Sequence, residues 1–224
     1  ATVGAAILSF FFLRVSGVYY LLITFGFGQL LYALAWNIRW FNSSGMQGIS
    51  NITLPASGVL GLRWTNLLFY YFVFIIFMLA YMAMSRIIDS PFGHAVVGTR
   101  ESENRMRTLG YNVWAFRYAA HVISGVFAGL AGALFAFNNS FVSPSHLGFD
   151  TSWLSMLMVI VGGIGTRVGP IVGAAIAIWL EYFFSLITPQ RWPLFLGAFF
   201  IAVIMYFRGG IVVTLLRLWN RGRS

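Results

Sequence analysis

Few side chains in the 224 residues could carry acid–base or ligand chemistry. Glu181 is the only carboxylate inside an apolar run, and it lies near the end of that run, as an interfacial side chain does. His121 follows Arg117 near the end of another run, and Asp150 stands where a helix N-cap is expected. The sequence has no paired carboxylates, His cluster, Ser/His/Asp set or Cys. These residues therefore indicate neither an enzyme nor a proton-coupled carrier.

The densest group of charges lies within residues 86–117, and the residues around it predict local structure. Ser90 followed by Pro91 is typical of a helix N-cap and first helical position. Thr99 is predicted to cap a second short helix, and Gly110 to end that helix in the left-handed conformation. This segment is therefore predicted to be structured.

Two Glu–Arg pairs stand four residues apart in the second short helix, Glu101 with Arg105 and Glu103 with Arg107. Each such pair adds about 0.3 kcal/mol to helix stability. Asn112 is predicted to cap the next apolar helix. The residues leave two interpretations open: a charged helix that docks a soluble partner, or a solvated helix that only separates two apolar ones.

The elements that must position these residues are apolar. Hydrophobic residues make up 59% of the chain and charged residues 8%, with a mean hydropathy of +0.83, whereas soluble domains carry about 25% charged residues. The composition predicts an all-α polytopic transmembrane helical bundle of about six to seven spans. The apolar runs cover 17–36, 67–85, 118–137, 153–164, 168–187 and 193–207. The run 153–164 is short and next to glycines, which predicts a broken or tilted span.

All fourteen basic residues are Arg, and they give the chain a net charge of +9. Because they lie between apolar runs, they indicate topology and not a nucleic-acid partner. The 86–117 loop and the tail after the last run are the most Arg-rich, so both are predicted to be cytoplasmic. Residues 37–66 and 138–151 are then predicted to lie outside, although Arg39 and Arg63 count against the first of these.

Small residues recur at every fourth position in two places. Gly125, Gly129 and Ala133 form one series, and Gly169, Gly173 and Ala177, which follow Gly165, form the other. Such series allow close packing of helices in lipid. With so little buried charge, a solute would pass along small or neutral polar groups. The candidate pathway residues are Thr24, Gln29, Gly162, Gly163 and Thr166, each of which also has a simpler packing interpretation.

Four stretches of the chain resemble one family. They are L-R-V-S-G-V-Y-Y-L-L-I-T-F-G-F-G-Q (13–29), P-F-G-H-A-V-V-G-T-R-E-S-E-N-R-M-R-T-L-G-Y (91–111), I-S-G-V-F-A-G-L-A-G-A-L (123–134) and V-I-V-G-G-I-G-T-R-V-G-P-I-V-G-A (159–174). Their order and spacing resemble the inner-membrane permease subunits of ABC importers for branched-chain amino acids, the LivM type. The resemblance covers nearly the whole chain.

The resemblance implies a single permease domain over 1–224 in the bacterial inner membrane. Members of the family usually have further N-terminal spans, which the resemblance implies are missing from these 224 residues. It implies two cytoplasmic ABC ATPase subunits, a second homologous permease and an external periplasmic solute-binding protein as partners, besides membrane lipid and without nucleic acid. The chain itself would hold no cofactor, because ATP is bound by the ATPase subunits. The family's coupling loop corresponds to 86–117, and its contact residues would be Arg100, Glu101, Glu103, Arg105, Leu109 and Gly110.

Two departures from the family pattern leave the substrate open. His94 stands where an Arg is usual, and S-S-G-M-Q-G-I at 43–49 replaces T-G-G-S-D-G-L, so a carboxylate is lost. Permeases of this type also import urea and short amides. The alternatives are therefore a urea or short-amide ABC permease, or a secondary carrier that uses no ATPase.

Overall fold

The computed structural model describes residues 2–15, 17–37, 49–50, 66–187, 191–207 and 209–214. In chain order the helices and strands are α1 (Thr2–Phe12), α2 (Val18–Asn37), β1 (Ile49–Ser50), α3 (Asn66–Ile88), α4 (Pro91–Glu101), α5 (Glu103–Thr108), α6 (Val113–Asn139), β2 (Phe141–Val142), a 3-10 helix (Pro144–Leu147), α7 (Phe149–Gly162), α8 (Gly169–Ile187) and α9 (Trp192–Tyr206). The predicted all-α fold is confirmed. Its only strands among the described residues are β1 and β2, which form a short antiparallel ladder.

Five segments of the described chain are long and apolar enough to cross a membrane. They correspond to α2, α3, α6, α8 and a segment that begins in α9. Two further apolar helices, α1 and α7, are shorter. With 14 residues, α7 is about 21 Å long, less than the ~30 Å of a bilayer core. The predicted short apolar run therefore forms a short helix, and its being a broken or tilted span stays a prediction.

The chain forms two compact units, residues 1–146 and 147–224. In the first unit, α1 packs along α6, and Gly125 makes this approach possible, because a Cβ on it would collide with the Cβ of Ala5. The small-residue series at 125–133 therefore contains at least one close helix contact, as predicted.

The second unit has its own apolar core, formed by α7, α8 and α9. Five buried side chains make up this core: Val161, Ala177, Leu196, Phe200 and Val203. α7 and α8 approach closely at Gly173, where a Cβ would collide with the carbonyl oxygen of Met158. The predicted packing role of Gly173 and Ala177 is thus confirmed.

Several sequence-based predictions concern residues outside the described ranges. These are the tail arginines Arg208, Arg217, Arg221 and Arg223, the outer-loop residues Arg39 and Arg63, and the stretch 43–48. The membrane orientation and the single permease domain over 1–224 stay predictions.

Candidate functional site

The charged loop folds into two short helices, α4 and α5, which with their flanking residues 90–112 are called the elbow below. α4 begins as predicted: Ser90 Oγ accepts a hydrogen bond from the N–H of Gly93 at 3.3 Å, and Pro91 is the first helical residue. Gly93 is needed here because a Cβ would lie 2.6 Å from the carbonyl oxygen of Ile87. The turn from α3 into α4 is therefore tight.

The prediction that Thr99 caps the second short helix is wrong. α4 continues through Thr99 to Glu101, and the Thr99 hydroxyl donates to the carbonyl oxygen of Val96 at 2.7 Å. Ser102 is the cap instead, because its extended backbone (φ −156°, ψ 100°) ends α4 and its Oγ accepts from the N–H of Arg105. Two short helices are present as predicted, but the boundary between them lies at Ser102 and not at Thr99.

The break at Ser102 also changes the predicted ion pairs. Glu103 and Arg107, both in α5, form the predicted pair at 2.6 Å. Glu101 and Arg105 lie on opposite sides of the break, and neither forms an ion pair with any described residue. The four-residue spacing of Glu101 and Arg105 does not bring them together because the helix between them is interrupted.

The end of α5 forms as predicted. Gly110 has a φ of +85°, its N–H donates to the carbonyl oxygen of Arg107, and the N–H of Tyr111 donates to that of Met106, both at 3.0 Å. This pair of bonds is a Schellman motif. Asn112 Oδ1 then accepts from the N–H of Ala115 at 3.2 Å and caps α6. The short segment 109–112 is therefore all that separates α5 from α6.

The inner face of the elbow is apolar. Ala95 of α4, Met106 of α5 and Val113 of α6 are buried together, and Phe116 packs against them. A Cβ on Gly98 would lie 2.8 Å from Met106 Sδ, so this glycine leaves the room that the methionine fills. The two short helices are thereby packed against the start of α6.

Glu103 uses both carboxylate oxygens inside the chain. Oε1 accepts from Arg107 within α5, and Oε2 forms an ion pair with Arg117 of α6 at 2.8 Å. The Glu103 side chain is 29% exposed, against 67% for Arg107. Glu103 therefore joins α5 to α6.

One turn further along α6, His121 joins α6 to α2. His121 Nε2 lies 2.6 Å from Tyr20 Oη, and Nδ1 lies 3.1 Å from the carbonyl oxygen of Arg117. Since a carbonyl only accepts, the contact with Arg117 is a hydrogen bond when Nδ1 carries the hydrogen, and in that tautomer Nε2 accepts from the Tyr20 hydroxyl. An open groove of about 360 Å³ follows this connection. Its lining residues are Leu13, Val15, Gly17, Tyr20, Glu103, Arg117 and His121.

The other predicted coupling residues are exposed. Leu109 is 65% exposed. Around it the elbow presents polar and small groups: Arg100, Glu101, Arg105 and Gly110. The predicted contact set thus divides into an exposed group and Glu103, which faces inward. Their contact with an ATPase stays a prediction.

Thr24 and Gln29, two of the predicted pathway residues, lie on α2. Thr24 Oγ1 is 2.9 Å from the carbonyl oxygen of Tyr20 and 3.0 Å from that of Leu21, so its hydroxyl bonds back to its own helix. Gln29 is half-buried. Their role in a pathway stays a prediction.

Gly162, Gly163 and Thr166, the other three, belong to the turn between α7 and α8, residues 162–169, called the glycine turn below. A Cβ on Gly162 would collide with the carbonyl oxygen of Gly169. Gly163 has a φ of +121° and ends α7. Thr166 Oγ1 donates to the carbonyl oxygen of Gly163 at 2.9 Å and accepts from the N–H of Gly169 at 3.0 Å. All three have structural roles in the turn, whatever their role in a pathway.

The sequence did not predict a role in the site for Arg117, His121 or Tyr20. Arg117 is fourteen positions beyond Glu103, and a connection of unknown shape lies between them. A sequence signal did exist for the Arg117–His121 contact, because residues four apart on a helix are neighbours. Within the described ranges, no group of three His, Asp or Glu side chains could hold a metal ion.

Comparisons with known proteins agree with the resemblance seen in the sequence. The family described as branched-chain amino acid transport system / permease component matches residues 1–207. The high-affinity branched-chain amino acid transport system permease protein LivM of Escherichia coli (strain K12) is 30% identical over 200 residues, which are 80% of this chain and 47% of that protein. The chain thus spans about half the length of the curated relatives it matches.

A second group of relatives is named for another solute. The autoinducer 2 import system permease protein LsrC of Photorhabdus laumondii is 28% identical over 140 residues, 59% of this chain and 42% of that protein. No solved structure matches the chain. The family match and the apolar helices identify a multi-pass protein of the bacterial inner membrane. The chain belongs to the branched-chain amino acid transport system permease family.

Proposed function

We propose that the chain is part of the membrane permease of an ATP-driven importer, and that the elbow receives the movement of a cytoplasmic ATPase. The observation that carries this proposal is the combination of a packed inner face and an exposed outer face in a short, capped segment between two apolar helices. The buried side chain of Met106 packs both short helices against the start of α6, and this packing would let the elbow move as a body.

The exposed residues of the elbow suit a polar partner surface. Arg100, Glu101 and Arg105 offer charges that are free of ion pairs within the described chain, and Leu109 offers an apolar side chain to bury. Charged groups form the stronger hydrogen bonds across interfaces. In the proposed complex, two ABC ATPase subunits would serve this chain and a second homologous permease, and a periplasmic solute-binding protein would deliver the solute.

Branched-chain amino acids are the substrate class we propose. This proposal rests on the relatives: LivM of Escherichia coli matches 80% of the chain at 30% identity, whereas LsrC of Photorhabdus laumondii matches 59% at 28%. The described helices offer little buried charge, which suits a solute with an apolar side chain. Urea and short amides are the second candidate class.

Uptake by reconstituted transporters tests the proposal. The full-length permease would be reconstituted with its partner permease, ATPases and binding protein in proteoliposomes, with ATP inside and radiolabelled leucine outside. We expect ATP-dependent leucine uptake that valine and isoleucine inhibit and urea does not. Inhibition by urea alone would assign the second class.

A secondary carrier makes the opposite prediction about energy. Uptake should then follow an imposed ion gradient and persist without ATP. Gradient-driven uptake in vesicles that hold no ATP would therefore overturn the proposal.

A further inference from the structure

Polar side-chain contacts join α5 to α6 and α6 to α2. Glu103 of α5 is paired with Arg117 of α6, and His121 of α6 is bonded to Tyr20 of α2. The link between the two pairs is α6 itself, because His121 Nδ1 lies 3.1 Å from the carbonyl oxygen of Arg117. Contacts therefore run without a gap from the short charged helix to an apolar helix that is distant in sequence.

Glu103 lies at the end of α5 that is farther from α6 along the chain, and its ion pair attaches this end to α6. α5 is tied at its C-terminal end by the connection to α6, and in its middle by Met106 in the apolar core. Glu103 is the first residue of α5, about 8 Å from the last. Apolar packing is non-directional and alone would let the helix pivot. The N-terminal end of α5 is joined to α4 at Ser102, and the Glu103–Arg117 pair adds a direct attachment of this end to α6.

We infer that the Glu103–Arg117 pair is an internal brace, so that these two residues act as positioning residues that make α5 and α6 move together. Through His121 and Tyr20 the brace extends to α2. The inference rests on the proposed function and differs from it in one respect: Glu103 transmits the movement within the permease and is not a contact with the ATPase. That contact is made by exposed residues of the elbow: Arg100, Glu101, Arg105 and Leu109.

The chain offers a matched pair of variants, because Glu103 has two arginine partners. Arg117→Gln breaks the brace and leaves the pair within α5. Arg107→Gln breaks the pair within α5 and leaves the brace. Arg117→Lys keeps the charge at position 117. All three would be made in the full-length permease and assembled with its partners in proteoliposomes.

The quantity to measure is the amount of solute imported per ATP hydrolysed. We expect Arg117→Gln to lower this ratio by about two- to fivefold, the factor that corresponds to the loss of one partly exposed ion pair. Arg107→Gln should leave the ratio unchanged, and Arg117→Lys should restore at least half of it. Equal ratios for Arg117→Gln and the unchanged protein would overturn the brace.

A cleavable bridge tests the same point without comparing differently folded proteins. Glu103→Cys and Arg117→Cys would be combined in a Cys-free background of the full-length permease and joined by a short bis-methanethiosulfonate reagent; residues 1–224 contain no Cys of their own. We expect the ratio to fall by about two- to fivefold when a reductant cuts the bridge in the assembled complex. An unchanged ratio after cleavage would overturn the inference.

These outcomes separate the brace from the proposed function. If the unchanged complex hydrolyses ATP and imports solute but the variants keep its ratio, only the brace is wrong. If the unchanged complex imports no solute with ATP, the proposed function itself is wrong. Tyr20→Phe adds a further check, since removal of the hydroxyl should lower the ratio by less than Arg117→Gln does.

Discussion

The elbow and the glycine turn are both breaks between helices, and they are built in different ways. Side chains define the elbow: Ser90, Ser102 and Asn112 cap its helices, and Glu103 forms ion pairs. Glycines define the glycine turn, where Gly162 lies in direct contact with the backbone of Gly169. The exposed charges of the elbow can serve a partner, whereas the buried glycines Gly162, Gly163 and Gly169 serve the packing of α7 against α8.

The largest effect is expected from a single methyl group in the glycine turn. Gly162→Ala should lower the free energy of unfolding by about 3 kcal/mol, because the Cβ collides with a backbone carbonyl that cannot move alone. Gly197→Ala in α9 is the matched control, since its Cβ meets no atom within 4 Å. Thermal unfolding in detergent measures both. Equal midpoints would mean that the turn is not closely packed.

A smaller loss is expected inside the elbow. Met106→Ala should lower the free energy of unfolding by about 2 kcal/mol, because it removes a buried side chain and leaves a cavity. Leu109→Ala, three residues away and 65% exposed, should change it by less than about 0.5 kcal/mol. If the proposed function holds, Leu109→Ala should instead weaken ATPase binding in a pull-down. A larger decrease in the free energy of unfolding for Leu109→Ala would show that the Leu109 side chain packs against the rest of the protein.

The cap at Ser102 should contribute more to stability than the hydroxyl of Thr99. Ser102→Ala should cost about 1 kcal/mol of unfolding free energy, because the N–H of Arg105 loses its acceptor. Thr99→Val should cost less, because the carbonyl oxygen to which its hydroxyl donates lies within α4. Chemical denaturation of the two variants would rank them. A larger loss for Thr99→Val than for Ser102→Ala would favour Thr99 as the cap, as the sequence predicted.

The smallest effect on stability is expected outside both regions. Thr24→Val keeps the shape of the side chain and removes a hydroxyl that bonds only to its own helix, so the unfolding free energy should change by less than about 0.5 kcal/mol. This makes Thr24 the best test of the predicted pathway. Unchanged uptake by Thr24→Val would remove it, whereas a variant of Gly163 would confuse loss of uptake with loss of packing.

Local signals in the sequence were sufficient where a residue acts on its near neighbours. Ser90, Gly110 and Asn112 have the predicted roles because caps act over three or four residues. The prediction failed where two hydroxyls competed. Thr99 and Ser102 can both cap a helix, but Thr99 is buried within α4 and its hydroxyl donates to the carbonyl oxygen of Val96, whereas Ser102 caps α5.

Contacts between distant residues could not be predicted. Helix periodicity says nothing about the partner across a loop, so neither the Glu103–Arg117 pair nor the Tyr20–His121 bond was visible in the sequence. The small-residue series did indicate close packing at Gly173, but not that the carbonyl of Met158 would be the neighbour. A series of small residues predicts that a helix face packs closely, but only the fold shows which residues it packs against.

Ser102 ends α4 and caps α5, so the unfolding of one short helix should affect the other. The Ser102 N–H donates to the carbonyl oxygen of Gly98, and the Ser102 Oγ accepts from the N–H of Arg105. Melting of the last turn of α4 therefore releases the cap of α5, and fraying of α5 removes the end of α4. The amide protons at 102 and 105 should exchange with deuterium at similar rates, as members of one cooperative unit.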